Sequence, residues 1–178
     1  VSFKSGHVLD PYFANTIRTS VSTGFDYKQT PSLAMTDFFD PGYVTQSLGF
    51  TFNPVSNFST RAGLAIQETF ADKFRAQFTD DLETKDKTEA FRFETGIEMV
   101  TQGSTTVVEN VLLDSKLRLF TRFEELSVWD VRWDNNFTAK INSFLNVNLN
   151  IIVMYEQSQV MKTQFKEALQ IGFVYSIF

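Results

Sequence analysis

Residues 129–141 alternate between apolar and polar side chains. Trp129, Val131 and Trp133 occupy one set of alternate positions, and polar or charged residues such as Asp130 occupy the other. Successive Cβ atoms of a β-strand point to opposite faces of the sheet, so this period of two predicts a strand with one apolar face and one charged face. The pattern recurs along the chain towards its last residues.

Eight stretches of this kind are separated by turn or loop signals. The predicted strands cover residues 13–28, 43–53, 58–70, 91–99, 107–123, 129–141, 145–155 and 165–178. Short turns are predicted near Pro54, Gly103 and Ser143, longer loops near Pro41, Asp81 and Ser158, and one short exception at Glu124 and Glu125. If the chain ends on the periplasmic side of an outer membrane, counting back through antiparallel strands places all three short turns on that side, where such barrels have them.

The length of the apolar faces indicates a membrane. No stretch approaches the roughly 20 consecutive apolar residues of a spanning helix, and a spanning structure must pair its own backbone polar groups, which leaves a closed barrel. The apolar face persists for about six positions on nearly every predicted strand, as a tilted strand in a bilayer requires. Phe, with 20 copies, is unusually common, and aromatic residues recur near the predicted strand ends, where membrane barrels have aromatic girdles. The sequence therefore predicts an all-β fold, an antiparallel transmembrane up-and-down β-barrel.

Alternation alone does not say which face meets water. A soluble lipid-binding barrel of the lipocalin type has the inverse arrangement, apolar inside and charged outside, and is the main alternative. A β-sandwich is a third. We favour the membrane barrel because its apolar faces are long and aromatic at their ends, and because Phe178 ends the chain.

Composition narrows the class of protein further. The 178 residues suit a single domain that spans 1–178. The absence of cysteine excludes disulfide scaffolds, thiolate metal sites and thiol catalysis. The net charge is −5 and the basic residues are spread singly along the strands, so nucleic-acid binding is not expected.

Two segments, 39–54 and 164–175, resemble a family of uncharacterised outer-membrane β-barrels of Gram-negative bacteria, defined by a domain of unknown function. In the first segment, Pro41 precedes a strand that runs through Leu48 and Gly49 into alternating aromatics. The resemblance implies a place in the cell outer membrane and insertion by the barrel-assembly machinery. Because members of the family usually begin with further strands, it also implies an alternative in which this chain is the C-terminal part of a barrel of about 10 to 14 strands.

The alternation assigns each strand residue to a face. The residues expected to face lipid are Trp129, Val131, Trp133, Phe137, Leu145, Val147, Leu149, Ile151, Val153, Tyr155, Leu169, Ile171, Phe173 and Tyr175. The residues expected to line the lumen are Arg18, Arg61, Arg92, Glu94, Glu98, Asp114, Lys116, Arg118, Arg122, Asp130, Arg132, Asp134 and Lys140. Asp130, Arg132 and Asp134, beside Arg118 and Arg122, form the densest predicted cluster. The lining is interpreted either as a selectivity path or as mutually paired charges that fill a narrow barrel, because an unpaired charge away from bulk water is costly.

No catalytic, cofactor or metal site is expected. Glu94 and Glu98 lie roughly 13 Å apart along one strand, too far for paired-carboxylate chemistry. The acidic loop at 80–86 lacks the ligand spacing of a calcium loop. His7 is the only histidine, so a histidine-based triad has no other candidate.

The sequence therefore predicts a non-enzymatic, integral outer-membrane barrel. It acts as a small pore or as a structural or partner-binding subunit. Its expected partners are outer-membrane lipid, the barrel-assembly machinery during insertion and, as one alternative, a larger outer-membrane complex.

Overall fold

The computed structural model describes residues 9–26, 30–79, 87–156 and 160–173, with the backbone alone at 160–162. The predictions that concern His7, Asp80, Asp81, Glu83, Asp86, Tyr175 and Phe178 lie outside these residues. No helix in the described part of the chain is long and apolar enough to cross a bilayer.

The fold is all-β and antiparallel, as predicted, with one turn of helix. Its elements in chain order are β1 (Leu9–Thr19), β2 (Gly24–Asp26), β3 (Leu33–Thr36), β4 (Gly42–Val55), β5 (Phe58–Phe70), α1 (Arg75–Phe78), β6 (Phe91–Val108), β7 (Val111–Arg122), β8 (Asp130–Lys140), β9 (Leu145–Glu156) and β10 (Val160–Phe173). Eight strands form one sheet in the order β1-β4-β5-β6-β7-β8-β9-β10, and β2 pairs with β3 in a separate hairpin. The large sheet is therefore an up-and-down meander in which one connection carries that hairpin.

Short and long connections lie at opposite ends of the sheet. The links β4–β5, β6–β7 and β8–β9 are two to four residues long, and Phe173 at the end of β10 pairs with Leu145 at the same end. We call this the short-turn end. The connections that carry β2, β3 and α1 lie at the other end, which we call the loop end. Short and long connections therefore alternate along the chain, as the predicted loop lengths indicate.

The predicted first strand, 13–28, is wrong at both ends. β1 begins at Leu9 and stops at Thr19, where it pairs with Gly42. The ladder ends there because the residue before Gly42 is Pro41, which has no N–H to donate. Of the apolar positions that follow Thr19, Phe25 belongs to the separate hairpin, whereas Val21 lies before it.

The turn predicted at Gly103 is also wrong. β6 continues to Val108, and Gly103 lies inside the sheet, opposite Ser115. The chain reverses at residues 109–110, where Asn110 adopts a φ of 67°, a left-handed conformation that Asn tolerates better than most residues. The turn signal was thus an Asn seven residues after Gly103.

The sheet is strongly curled, with its polar face inside. Arg18 on β1 and Glu156 on β9 are separated by the five strands β4 to β8 in the sheet order, which corresponds to about 29 Å in a flat sheet. Their side chains nevertheless form an ion pair of 2.6 Å. The face that carries both residues must therefore be concave.

Glycines permit close approach between β4 and β5. Gly49 on β4 lies directly opposite Gly63 on β5. A Cβ built on Gly49 would lie 2.1 Å from the carbonyl oxygen of Ala62, and one on Gly63 would lie 2.2 Å from that of Leu48. Neither position accommodates a side chain without a backbone shift.

The pairing does not close the sheet into a barrel among the described residues. β1 pairs only with β4 and β10 only with β9, so a seam separates the two edges. The described strands thus form a curled, eight-stranded antiparallel sheet with no backbone pairing across this seam. β1 begins at the short-turn end, whereas β10 finishes there. The two edge strands therefore run antiparallel to each other.

The loops at the loop end are tied together by Asp40. Its carboxylate is buried and accepts hydrogen bonds from the backbone N–H groups of Asp72, at 3.1 Å, and Lys73, at 2.6 Å. An ion pair between Lys73 and Asp37 adds to the tie, and its hydrogen bond holds the pKa of Asp37 below the ordinary value. The segment before β4 is thereby fixed to the segment that contains α1.

Candidate functional site

Strand register gathers the predicted lumen residues on the concave face. Directly opposed residues of an antiparallel pair share a face, and the pairs Glu98–Phe120, Lys116–Asp134 and Phe120–Asp130 link the polar positions from strand to strand. The residues placed on this face are Arg18, Arg61, Arg92, Glu94, Glu98, Asp114, Lys116, Arg118, Arg122, Asp130, Arg132, Asp134 and Lys140.

The residues predicted to face lipid share the opposite, convex face. Those on strands are Val131, Trp133, Phe137, Leu145, Val147, Leu149, Ile151, Val153, Tyr155, Leu169, Ile171 and Phe173. Trp129 lies one residue before β8 and is 40% exposed. Large apolar side chains such as Leu48 and Leu64 are more than 60% exposed on this face, whereas Glu98 on the concave face is 2% exposed.

A charged cluster fills the concave face towards the loop end. We define it as Arg61, Gln67, Arg92, Glu94, Glu98, Arg118 and Arg122, all on β5, β6 and β7. Glu98 pairs with Arg118 at 2.7 Å and with Arg61 at 3.8 Å. Glu94 pairs with Arg92 at 3.0 Å and with Arg122 at 3.3 Å.

Gln67 joins the two halves of the charged cluster. Its amide nitrogen donates to Glu94 at 3.2 Å, and its carbonyl oxygen accepts from Arg118 at 3.2 Å. The cluster contains four arginines and two glutamates, and one of the arginines, Arg122, also pairs with Glu125 outside it at 3.5 Å. Phe120 lies fully buried beside the charged cluster, and the guanidinium of Arg118 lies 5.5 Å from the centroid of its ring.

The densest predicted cluster is not the one that forms. Arg118 and Arg122 bind carboxylates of β6 instead of those of β8, and Arg118 lies directly opposite Arg132, a like charge. Arg132 turns along its own strand and pairs with Asp134 at 2.8 Å. Sequence adjacency favoured β8, but both neighbours of β7 compete for its arginines, and β6 offers buried glutamates.

A cavity of about 1030 Å³ occupies the concave face towards the short-turn end. Charged and aromatic side chains in its lining are Asp10, Tyr12, Phe13, Phe58, Arg61, Asp114, Lys116 and Asp134. Arg61 belongs to both the charged cluster and this lining, so it marks the boundary between them. No group of three or more His, Cys, Asp or Glu side chains in the described segments is arranged to hold a metal ion.

Tyr12 is the main residue of this site that the sequence did not single out. It is 4% exposed, lines the cavity, and has the guanidinium of Arg61 5.3 Å from its ring centroid. Within the described segments, neither its hydroxyl nor the Nε of Arg61 has a hydrogen-bond partner, although both atoms are buried. Pro11 had interrupted the strand pattern at this point, so the predicted first strand began one residue too late to include Tyr12.

Comparison with protein families, with curated proteins and with solved structures finds no match to this chain.

Proposed function

We propose that this chain forms the wall of a non-enzymatic outer-membrane β-barrel in a Gram-negative bacterium, as a structural or partner-binding subunit. The observation that carries the proposal is the direction of curl. Because the sheet bends towards its charged face, exposed apolar side chains such as Leu48, Leu64 and Leu169 point outwards, where a soluble protein would expose them to water. A lipid bilayer is the solvent in which that surface is stable.

Polar residues on the convex face support a lipid environment. Ser115 and Asn135 interrupt the apolar surface at paired positions, and their side chains hydrogen-bond to each other at 2.8 Å. The indole N–H of Trp133 donates to Ser115 at 2.9 Å. Polar groups that face hydrocarbon need such internal partners, because no water is available to replace them.

The soluble lipid-binding barrel is the weaker alternative. A lumen that holds a lipid tail needs an apolar lining. The concave face instead carries buried Gln67, Glu94 and Glu98 with their arginines.

A small pore is the second candidate within the membrane class. The cavity at the short-turn end favours it, since a wide interior can hold water. The charged cluster opposes it, because ion-paired side chains occupy the concave face between that cavity and the loop end. We therefore expect low conductance when the protein is inserted in planar bilayers, and stable, large single-channel steps would favour the pore.

Substitution of a single convex residue tests membrane placement. Leu64, in the middle of β5, is 63% exposed. Leu64→Arg should destabilise the folded barrel in lipid vesicles by about 2 to 4 kcal/mol, because a cation near the bilayer midplane is costly. Urea unfolding in vesicles, together with heat-modifiable migration on gels, measures this effect.

Val55→Arg is the matched control. Val55 is also exposed, at 56%, but it ends β4 beside a short turn. A cation near the interface costs only about 0 to 1 kcal/mol. Equal tolerance of both arginines, or a monodisperse protein without detergent, would contradict the membrane proposal and favour the soluble barrel.

A further inference from the structure

Two strand edges lie on either side of the seam. Among the described residues, β1 pairs with β4 alone and β10 with β9 alone, so the outer edge of each has no strand partner there. The side chains of β10 are also exposed on both of its faces along residues 165–171. Backbone N–H and C=O groups at an open edge have no water to bond in the hydrocarbon of a bilayer, which makes an unpaired edge costly. In a membrane, both edges therefore need a partner.

The ion pair between Arg18 and Glu156 limits the width of the seam at the loop end. Direct pairing of β1 with β10 would place β1 two strand spacings from β9, which is about 10 Å. One further hairpin in the seam would separate them by four spacings, about 19 Å along the wall. The two side chains meet at 2.6 Å, and an arginine and a glutamate together span the shorter distance but not the longer one. The seam at this end therefore has room for direct pairing and not for two more strands.

The two edges also match in direction and extent. They run antiparallel, as neighbouring strands of a meander do. β1 covers Leu9–Thr19, and the regular part of β10 runs from Gln164 to Phe173. When Leu9 is placed opposite Phe173, Arg18 lies opposite Gln164, so this register pairs nearly the whole of both strands.

A polar pair on the convex face supports this register. It places Asn15 of β1 directly opposite Glu167 of β10, and both side chains are exposed among apolar neighbours. A carboxylate that faces hydrocarbon needs a hydrogen-bond donor, and the side-chain amide of Asn15 would supply one across the seam. At the other convex positions the same register opposes apolar residues to apolar residues, namely Leu9 to Phe173, Pro11 to Ile171, Phe13 to Leu169 and Ile17 to Phe165.

The neighbouring registers fit less well. Residues of one face stay together only when the pairing shifts by two residues, because side chains alternate between faces. One such shift places Glu167 opposite Ile17. The same shift places Arg18 opposite Lys166, a like charge on the concave face. The opposite shift places Glu167 opposite Phe13, so each alternative sets the carboxylate directly against an apolar side chain.

We propose that β1 and β10 of one chain pair with each other in the membrane and close an eight-stranded barrel. In the closed wall, Asn15 lies opposite Glu167 and its amide N–H donates to the carboxylate. The partner of each edge is thus the other edge of the same chain. The inference rests on the proposed membrane placement, because water would otherwise satisfy both the edges and Glu167. An eight-stranded barrel has an interior just wide enough for side chains, which agrees with a structural wall that the charged cluster fills.

Disulfide cross-linking in lipid vesicles tests the register, since the chain has no cysteine of its own. Directly opposed residues have Cα atoms about 4.5 to 5.5 Å apart, within the range of a disulfide. The variant Phe13→Cys, Leu169→Cys should form an intramolecular disulfide, seen as a faster-migrating monomer on non-reducing gels. Ile17→Cys, Leu169→Cys is the matched control, because its cysteines lie about 13 Å out of register. Both variants keep Asn15 and Glu167.

The outcomes separate closure from membrane placement. An intramolecular disulfide in both variants, or in neither, would overturn the register. A cross-linked dimer would show that the edges bind a second copy, and it would overturn closure within one chain. Heat-modifiable migration of the unmodified chain reports on membrane placement alone. If that migration is absent, the membrane proposal fails together with the closure that rests on it, whereas a heat-modifiable chain without the expected disulfide contradicts closure only.

Removal of the polar pair is a second test. Asn15→Leu should lower the urea midpoint in vesicles, because it leaves Glu167 without its donor. Asn15→Leu, Glu167→Leu should recover most of that loss, since apolar side chains replace both partners. Gln46→Leu is the matched control, because Gln46 is a convex amide one strand further from the seam. Its combination with Glu167→Leu should show no such recovery. Additive losses for Asn15 and Glu167, or equal recovery with Gln46, would overturn the pairing.

Discussion

Gly63 controls how closely β4 and β5 approach each other. Its missing side chain leaves room for the carbonyl of Leu48, and the opposed Gly49 does the same for Ala62. On the next strand, Glu98 lies directly opposite Gly63, so the buried carboxylate occupies the concave face beside a position without a side chain. The close backbone approach and the buried charge are therefore neighbours in the sheet.

Gly63→Ala adds one methyl group, and we expect it to lower the free energy of unfolding strongly. The new Cβ would meet the backbone oxygen of Leu48 at 2.2 Å, and relieving such overpacking costs about 1 to 3 kcal/mol or more. Gly103→Ala is the control, since its Cβ would meet its nearest neighbour at 3.4 Å. Urea unfolding followed by tryptophan fluorescence should separate the two variants. Equal midpoints would contradict the close approach.

Glu98→Gln tests the charged cluster. The substitution keeps the shape of the side chain but removes the charge that balances Arg118 and Arg61. Breaking a buried ion pair on one side costs about 3 to 5 kcal/mol, because the remaining charge stays buried. The expected result is a lower urea midpoint with an unchanged slope. Glu109→Gln, in an exposed turn, should have no effect, and a similar loss there would show that the assay does not report on the cluster.

At the scale of elements, the loop end is more than a set of connections. Asp40 fixes the segment before β4 to the segment with α1, and the rings of Phe39, Phe70 and Phe91 form a chain with centroids 6.4 and 5.1 Å apart. Local aromatic packing and a buried carboxylate therefore stabilise this end together.

Asp40→Ala should release the loops without unfolding the sheet. Two backbone N–H groups lose a charged acceptor, and a hydrogen bond to a charged group contributes about 1.5 to 3 kcal/mol. Limited proteolysis and amide exchange at Asp72 and Lys73 should accelerate, while the strands stay protected. Asp72→Ala is the control, because that carboxylate is 79% exposed and its partner among the described residues is Arg75 in its own segment. Identical cleavage of both variants would count against the tie.

At the scale of the whole molecule, the ion pair between Arg18 and Glu156 shows that the sheet is curled. Arg18 and Glu156 are far apart in chain and sheet order, yet they touch across the concave face. Among the described residues, β1 and β10 do not pair with each other, and the ion pair between Arg18 and Glu156 connects the two halves of the wall at the loop end.

Charge reversal tests this connection. Arg18→Glu should lower the free energy of unfolding by an amount between the exposed-pair value of about 1 kcal/mol and the buried-pair value of about 3 to 5 kcal/mol, since both side chains are partly buried. The double variant Arg18→Glu, Glu156→Arg should recover most of the loss in urea unfolding. Additive losses would show that the two side chains do not interact.

Much of the strand pattern and both faces of the sheet were readable in the sequence. Period-two alternation is local, so it predicted eight strands, the grouping of Glu94 and Glu98 with the arginines on one face, and the grouping of Trp133 with Leu149 on the other. The wrong strand and turn predictions occurred where a second local signal interrupted the alternation. Gly103 suggested a turn inside a strand, and Pro11 hid the start of β1 and with it Tyr12.

By itself, the sequence determined most of the strands of the large sheet and which of their residues share a face, because both follow from side-chain direction along a strand. The tertiary structure shows the direction of curl, since Arg18 and Glu156 meet across the concave face although five strands separate them in the sheet. It also decided the partner of each charge, because an arginine on β7 has two neighbouring strands to choose from and the register selects β6. The cavity at Tyr12 and the seam between β1 and β10 arise from the same cause, since both are set by contacts between residues distant in the chain.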